Sequence, residues 1–193
     1  AFHRRDPGFY LENAFYSTDA TLKARSLKAM GELGGREDKH MPGRLRDQFK
    51  TEDPASRFWA MWSAVLLGDA SALDRLKSYA LDFSNCFGEE ALQLLLRRLD
   101  LKDTQALHRE LAERTDAERP AVIGAGIIGD PVLIPWLMRQ MTTPALARVA
   151  GESFTLITGV NLGGQALEGS RPEGFESGPN DNPADDNVAA DPD

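Results

Sequence analysis

The stretch DPASRFWAMWSAVLLGD, residues 53–69, has the features of one complete amphipathic helix. Asp53 is a preferred N-cap residue, and Pro54 suits the first helical turn, where its missing N–H is not needed. Three apolar side chains follow at i, i+4 and i+7 and form one stripe: Phe58, Trp62 and Val65. Gly68 can adopt the left-handed conformation that ends a helix. The pattern predicts a helix with one apolar face, and Asp69 can cap a second helix directly after it.

The same ending recurs along the chain at nearly constant intervals. Glycines close similar segments at positions 34, 68, 129 and 159, and a small residue stands eight positions before each ending. Including one degenerate repeat, these small residues are 34, 31, 30 and 30 positions apart: Ser26, Ala60, Ala91, Ala121 and Gly151. Such a period is typical of one helical hairpin per repeat. One hairpin cannot bury its apolar face alone, so the hairpins are expected to stack.

The sequence therefore predicts an all-α fold, a right-handed α-solenoid of about four to five helical hairpins. We expect the solenoid to occupy residues 1–162 and an irregular acidic tail, rich in Gly, Pro and Asp, to occupy residues 163–193. Helices are expected over 9–16, 19–34, 53–69, 70–81, 89–99, 103–114, 117–128, 131–141 and 145–157. The third repeat has Leu99 where the pattern calls for a glycine.

Charge and composition limit the classes of partner. The chain has 193 residues and a net charge of −8, and the segment from Glu168 onward holds eight acids and one arginine, or −7 of that charge. A neutral body with an acidic tail argues against nucleic acid, which requires a net basic face. No apolar run reaches the length of a membrane span. The single cysteine, Cys86, suits a reducing cytoplasm, and we expect it to be a small buried side chain.

Residues 53–69 resemble the first helix of a HEAT repeat almost position by position, and residues 19–35 are similar to it. The stretch 146–160, together with 176–181 and the Asp-rich end, resembles a family of uncharacterised proteobacterial HEAT-repeat proteins. The resemblance covers nearly the whole chain. It implies a HEAT-type fold, a bacterial cytoplasmic protein and a longer parent chain, and it implies no catalytic residues.

A glycine-rich motif, GAGIIG at residues 124–129, matches the dinucleotide-binding fingerprint. That fingerprint needs a strand before it and a helix that continues through it. Pro131 and Pro135 interrupt the required helix, and the acidic residue expected about 20 positions later is missing. The repeat register explains the glycines independently, because Gly126 aligns with Gly31. We therefore predict a structural role for the motif, and no cofactor.

The second helix of each hairpin is expected to line a concave surface, where such solenoids usually hold partners. Five exposed arginines on these helices, and one tryptophan that lies off the apolar stripe, are the candidate partner-binding residues: Arg44, Arg46, Arg75, Arg109, Arg139 and Trp59. Trp62 is expected in the core. His3, His40 and His108 lack metal-ligand spacing and are expected to be exposed or to face a partner. These features predict no metal site and a protein or acidic peptide as the partner.

The function predicted from the sequence is a protein-binding scaffold or adaptor without catalysis. Two alternatives remain open: an enzyme of lyase or glycosylase type on a HEAT-like solenoid, and a structural accessory of a bacterial secretion assembly. We further expect the acidic tail to pack back along the solenoid, with Phe175 as its apolar anchor and its acids near the arginines.

Overall fold

The computed structural model describes residues 8–34, 41–167 and 169, and all regular structure within these ranges is helical. The all-α prediction is thus confirmed for the described part of the chain. Among the same residues, no helix combines the length and the apolar character needed to cross a membrane. The expected anchor Phe175 and nearly all of the acidic tail lie outside the described residues.

The described residues form ten α-helices. Their bounds are α1 Phe9–Phe15, α2 Ala20–Leu33, α3 Met41–Asp47, α4 Pro54–Leu66, α5 Leu73–Ala80, α6 Gly88–Arg98, α7 Leu101–Ala112, α8 Glu118–Ile128, α9 Ile134–Gln140 and α10 Pro144–Thr158. Short 3-10 turns precede α5 and α9 and follow α3. The chain divides into two compact units, Ala1–Asp100 and Leu101–Asp193.

In the first unit, α4 is the central helix and packs against α2, α3, α5 and α6. Its Phe58 is fully buried and stacks on Phe87, with ring centroids 4.4 Å apart. Burial of a side chain of this size contributes about 1.5–3 kcal/mol. The predicted stripe on α4 is buried at Phe58 and Val65, whereas Trp62 is half-buried.

In the second unit, α8 and α10 pack face to face, and α9 packs on both of them. Their core consists of Val122, Ala125, Leu137, Leu146, Val149 and Ala150. The GAGIIG motif lies inside α8 and at its C-terminal end, so its helical residues cannot form the strand–turn–helix of a dinucleotide site. Gly126 faces Ser153 of α10, and Gly129 ends α8 in the left-handed conformation.

Aspartates begin four of these helical segments, as the sequence predicts for Asp53 and Asp69. The Asp53 carboxylate accepts a hydrogen bond of 2.7 Å from the Ser56 N–H, and Asp69 accepts one of 3.0 Å from the Ser71 N–H. Asp19 and Asp130 act in the same way. Each such cap satisfies an N–H group that has no partner within its helix, and is worth about 1 kcal/mol.

Glycine allows two helix pairs to approach closely. Gly31 of α2 faces Ser63 of α4: a Cβ at Gly31 would lie 2.8 Å from the Ser63 Cα and closer still to its hydroxyl. The Ser63 hydroxyl donates a hydrogen bond of 2.7 Å to the Leu27 carbonyl of α2. The α8–α10 pair has a matching contact, in which Ser153 faces Gly126 and donates a bond of 2.9 Å to the Val122 carbonyl.

Two expectations from the sequence are wrong. Cys86 is exposed rather than buried, because it lies in the loop between α5 and α6. His108 is buried, as described with the candidate site below.

The helix end at Leu99, where the expected glycine is missing, uses a different arrangement. α6 ends at Arg98, and Leu99 is extended, with φ −71° and ψ 155°. The Arg98 guanidinium donates hydrogen bonds to the carbonyls of Val65 and Leu66, at 2.7 Å each from Nη2. These carbonyls belong to the last turn of α4, where the Val65 carbonyl also accepts from the Gly68 N–H, so Arg98 joins the end of α6 to the end of α4.

Candidate binding groove

A groove runs between α2 and α4 in the first unit and has a volume of about 370 Å³. Here it is called the α2–α4 groove, and it is lined by Ala20, Thr21, Ala24, Arg25, Lys28, Asp53, Ala55 and Trp59. Three of its lining residues are alanines, two on α2 and one on α4, and their small side chains leave space between the longer side chains of Arg25, Lys28 and Trp59.

Trp59 forms one wall of the α2–α4 groove. Its indole packs edge-on against three rings of the first unit, those of Phe58, Trp62 and Phe87, with centroids 4.9, 5.4 and 6.1 Å away. These contacts hold the half-buried ring in one orientation. The Lys28 ammonium lies 4.2 Å from the centroid of the Trp59 ring, which is the geometry of a cation–π contact. The predicted anchor Trp59 is thus a rigid wall with a cation placed over it.

Arg25 and Lys28 give the groove two positive charges. They are three residues apart on α2, so they lie on the same face of the helix. Asp53 adds one negative charge at the end of the groove. Its pKa is lowered chiefly by its contacts with the side chain and the backbone N–H of Ser56. Asp53 is therefore ionised, and its carboxylate caps α4. The side chains of Arg25 and Lys28 also line the groove.

Two of the predicted partner-binding arginines make contacts within the first unit. Arg44 donates a hydrogen bond of 2.9 Å to Glu12 and lies over the rings of Phe15 and Tyr16, which leaves 20% of its side chain exposed. Arg46, on the same helix, donates a bond of 2.6 Å to Asp69. That bond holds the pKa of Asp69 below its ordinary value.

The other three predicted arginines are exposed. Arg75 lies on α5 in the first unit, and Arg109 and Arg139 lie on α7 and α9 in the second. The structure thus brings together only part of the predicted set. Arg44 and Arg46 share α3, and Trp59 lies on α4 with different cations beside it.

A larger groove, of about 1010 Å³, runs along α10 in the second unit. Its walls include Leu156, which is 72% exposed, and Leu162, whose side chain packs over Gly151. The Arg148 guanidinium lies 3.5 Å from Glu152, one turn further along α10. The charges along this groove are therefore paired within one helix, unlike the two cations of the α2–α4 groove.

His108 lies in the core of the second unit and is only 5% exposed, which corrects the expectation of an exposed histidine. Its ring meets Trp136 edge-on, with centroids 4.9 Å apart, and its Nε2 atom is buried without a hydrogen-bond partner. Burial lowers the pKa of His108, and a backbone hydrogen bond with Ala121 partly opposes this shift. A neutral imidazole in a packed core is typical of a structural residue, because no substrate can reach it.

Within the described ranges, no group of three or more His, Cys, Asp or Glu side chains is arranged to hold a metal ion. Comparison of the chain with protein-family models, with curated proteins and with solved structures found no match.

The sequence interpretation identified Trp59 but missed Arg25 and Lys28. A usable signal was present, because Arg25 stands 34 positions before Trp59, which is the spacing of the first two repeats. Residues at equivalent positions of neighbouring repeats lie side by side in a stack. The repeat register therefore indicates that Arg25 and Trp59 line the same groove.

Proposed function

We propose that the protein is a HEAT-type α-solenoid scaffold that binds another protein and has no catalytic role. The observation that supports this proposal best is the α2–α4 groove. It combines a rigid aromatic wall at Trp59 with two cations, Arg25 and Lys28, on the facing helix. Aromatic and arginine side chains are enriched among the residues that dominate protein–protein binding energy.

The internal packing is also consistent with stacked hairpins. The Gly31–Ser63 and Gly126–Ser153 contacts repeat the same arrangement between first helices. In a stack of hairpins, these contacts would fix the distance between neighbouring repeats. The exposed side chains would then be available for partners, and Arg75, Arg109 and Arg139 remain predicted contacts on the second helices. The single cysteine and the HEAT-like sequence favour a bacterial cytoplasmic setting.

The polar groups with shifted pKa values favour a scaffold over the lyase or glycosylase alternative. Asp53, Asp69 and Asp130 each cap a helical segment, and His108 is enclosed in the core. Catalytic acids and bases usually have shifted pKa values and line a cleft that substrate can enter. These three aspartates and His108 have structural roles instead. The role of a secretion accessory would need the same kind of binding surface as a scaffold.

The test is affinity capture from a native lysate with the full chain as bait, followed by mass spectrometry. Two charge-matched variants are run beside it: Arg25→Glu with Lys28→Glu in the groove, and Arg75→Glu with Arg109→Glu on the second helices. We expect a partner whose recovery falls at least tenfold with one variant and not with the other. A set of captured proteins that is the same for all three baits would contradict the proposal.

A further inference from the structure

We propose that the α2–α4 groove binds an acidic segment of a partner protein in extended conformation, with carboxylates at alternate positions. This inference rests on the proposed scaffold function and makes it specific. The groove belongs to one compact unit, so its geometry depends only on the packing of α2 against α4.

The charge of the α2–α4 groove favours an anionic ligand. Like charges three or four positions apart on a helix disfavour that helix by a few tenths of a kcal/mol. Arg25 and Lys28 form such a pair on α2, and the chain as a whole carries a net charge of −8. With the Asp53 carboxylate as the one acid of its lining, the groove is net positive and is complementary to an anionic ligand.

The spacing of the two cations favours an extended peptide with carboxylates at alternate positions. Side chains three positions apart on a helix have Cβ atoms about 5–6 Å apart. In an extended peptide, alternate side chains point to the same side and are about 7 Å apart. The long, flexible ends of Arg25 and Lys28 can span the small difference. An extended segment of the type Glu-x-Glu can therefore place one carboxylate on each cation, whereas carboxylates at every third position would point to different sides.

The aromatic wall of the groove, Trp59, favours a protein segment as the ligand. Trp59 is held by three neighbouring rings, so contact with it requires little ordering of the indole. Its exposed surface offers apolar contact for the aliphatic stem of a glutamate whose carboxylate reaches Lys28. The Lys28 ammonium, 4.2 Å from the ring centroid, is already positioned for that carboxylate. An acidic protein segment suits these features better than nucleic acid, since the chain is net negative.

The experiment measures fluorescence anisotropy of a fluorescein-labelled peptide, Ser-Glu-Ser-Glu-Ser-Glu-Ser, titrated with the full chain at low salt. A peptide of the same composition, Glu-Ser-Ser-Glu-Ser-Ser-Glu, tests the spacing, and a form with Gln for Glu tests the charge. We expect the alternate peptide to bind several-fold more tightly than its isomer and at least tenfold more tightly than the Gln form. Equal binding of all three peptides would overturn the inference.

Variants locate the site. Arg25→Glu with Lys28→Glu is expected to weaken binding of the alternate peptide at least tenfold, and the neutral pair Arg25→Gln with Lys28→Gln covers the case of impaired folding. A matched control in the same unit, Lys77→Glu with Arg97→Glu, changes the net charge equally and is expected to change binding less than twofold. An equal loss in the control would mean general electrostatic attraction and would overturn the inference.

The tryptophans provide a second readout. On addition of the alternate peptide, the Trp59 indole N–H signal in a ¹H–¹⁵N spectrum is expected to shift, while that of Trp136 in the second unit stays unchanged. A shift of Trp136 without Trp59, or displacement of the peptide by a stoichiometric DNA oligonucleotide, would overturn the inference. If the peptides fail to bind but affinity capture still yields a variant-sensitive partner, the scaffold function stands and only the acidic-segment inference falls.

Discussion

The α2–α4 pair and the α8–α10 pair use the same packing contact but have different outer surfaces. In each pair, a serine hydroxyl donates to a helix carbonyl and lies against a glycine four residues after that carbonyl. On α10, however, Arg148 has Glu152 one turn away, whereas on α2 the cations Arg25 and Lys28 lie side by side. The two pairs share this interior contact because the glycine and the serine let the helix backbones approach closely. Their outer side chains are under no such constraint and differ between the two pairs.

The largest expected effect comes from filling the close contact. Gly31→Ala would place a Cβ 2.8 Å from the Ser63 Cα, and Gly126→Ala would place one 3.0 Å from the Ser153 Cα. Overpacking of this kind typically costs 1–3 kcal/mol. We expect a loss in the free energy of unfolding of about 2–3 kcal/mol at Gly31 and about 1–2 kcal/mol at Gly126, measured by urea denaturation followed by circular dichroism.

Two further variants control that experiment. Gly43→Ala, where the added Cβ meets no atom within 4 Å, is expected to be neutral or slightly stabilising. In a Ser63→Gly background the clashing side chain is gone, so Gly31→Ala is expected to cost less stability there than in the unaltered chain. If Gly31→Ala costs the same in both backgrounds, the Gly31–Ser63 contact does not set the helix distance.

The next effect concerns the repeat that lacks its glycine. Arg98→Ala removes the donors to the carbonyls of Val65 and Leu66, and we expect a loss of about 1–2 kcal/mol in the free energy of unfolding, because much of this side chain remains in water. Arg97→Ala, at an exposed position on the same helix, is the matched control, with an expected change below about 0.5 kcal/mol. Equal effects at the two positions would show that Arg98 does not stabilise the end of α4.

A smaller effect is expected from the serines of the two contacts. Ser63→Ala and Ser153→Ala each remove one hydrogen bond to a carbonyl that also serves its own helix, so each should cost about 1 kcal/mol. Denaturation midpoints of the two variants test the equivalence of the two contacts directly. A loss at only one serine would break the comparison between the α2–α4 and α8–α10 pairs.

The last prediction concerns the pH dependence of stability that His108 of the second unit produces. His108 of the second unit has a pKa below its ordinary value of about 6.5 because burial disfavours the charged ring. The unfolded chain therefore binds a proton that the folded chain resists, and stability is expected to fall as the pH drops below 6.5 toward the lower pKa of the folded state. His108→Leu should reduce this dependence, as measured by thermal unfolding between pH 7.5 and pH 5. An unchanged dependence in the variant would assign the pH effect to other groups.

Helix positions were predicted from the sequence with more success than the burial of single residues. Helix positions and ends were predicted well, because capping depends on residues within the same few turns: Asp53 and Asp69 cap as expected, and Gly34, Gly68, Gly129 and Gly159 have positive φ. Burial was predicted less well for single residues. His108 was expected to be exposed and is buried, whereas Cys86 was expected to be buried and is exposed. A hydropathy pattern gives no information on loops or on polar residues that pack against a neighbouring helix.

By itself, the sequence determined the helical class of the described chain, the repeat period and the structural role of the glycines in GAGIIG. Those properties follow from local backbone preferences and from spacing along a helix. Only the tertiary structure decided that Arg98 at the end of α6 bonds to the end of α4, that Arg44 is committed to Glu12, and that Lys28 lies over Trp59. Each of these contacts joins residues about 30 positions apart, and the partner of a long, flexible side chain depends on the distance and rotation between packed helices.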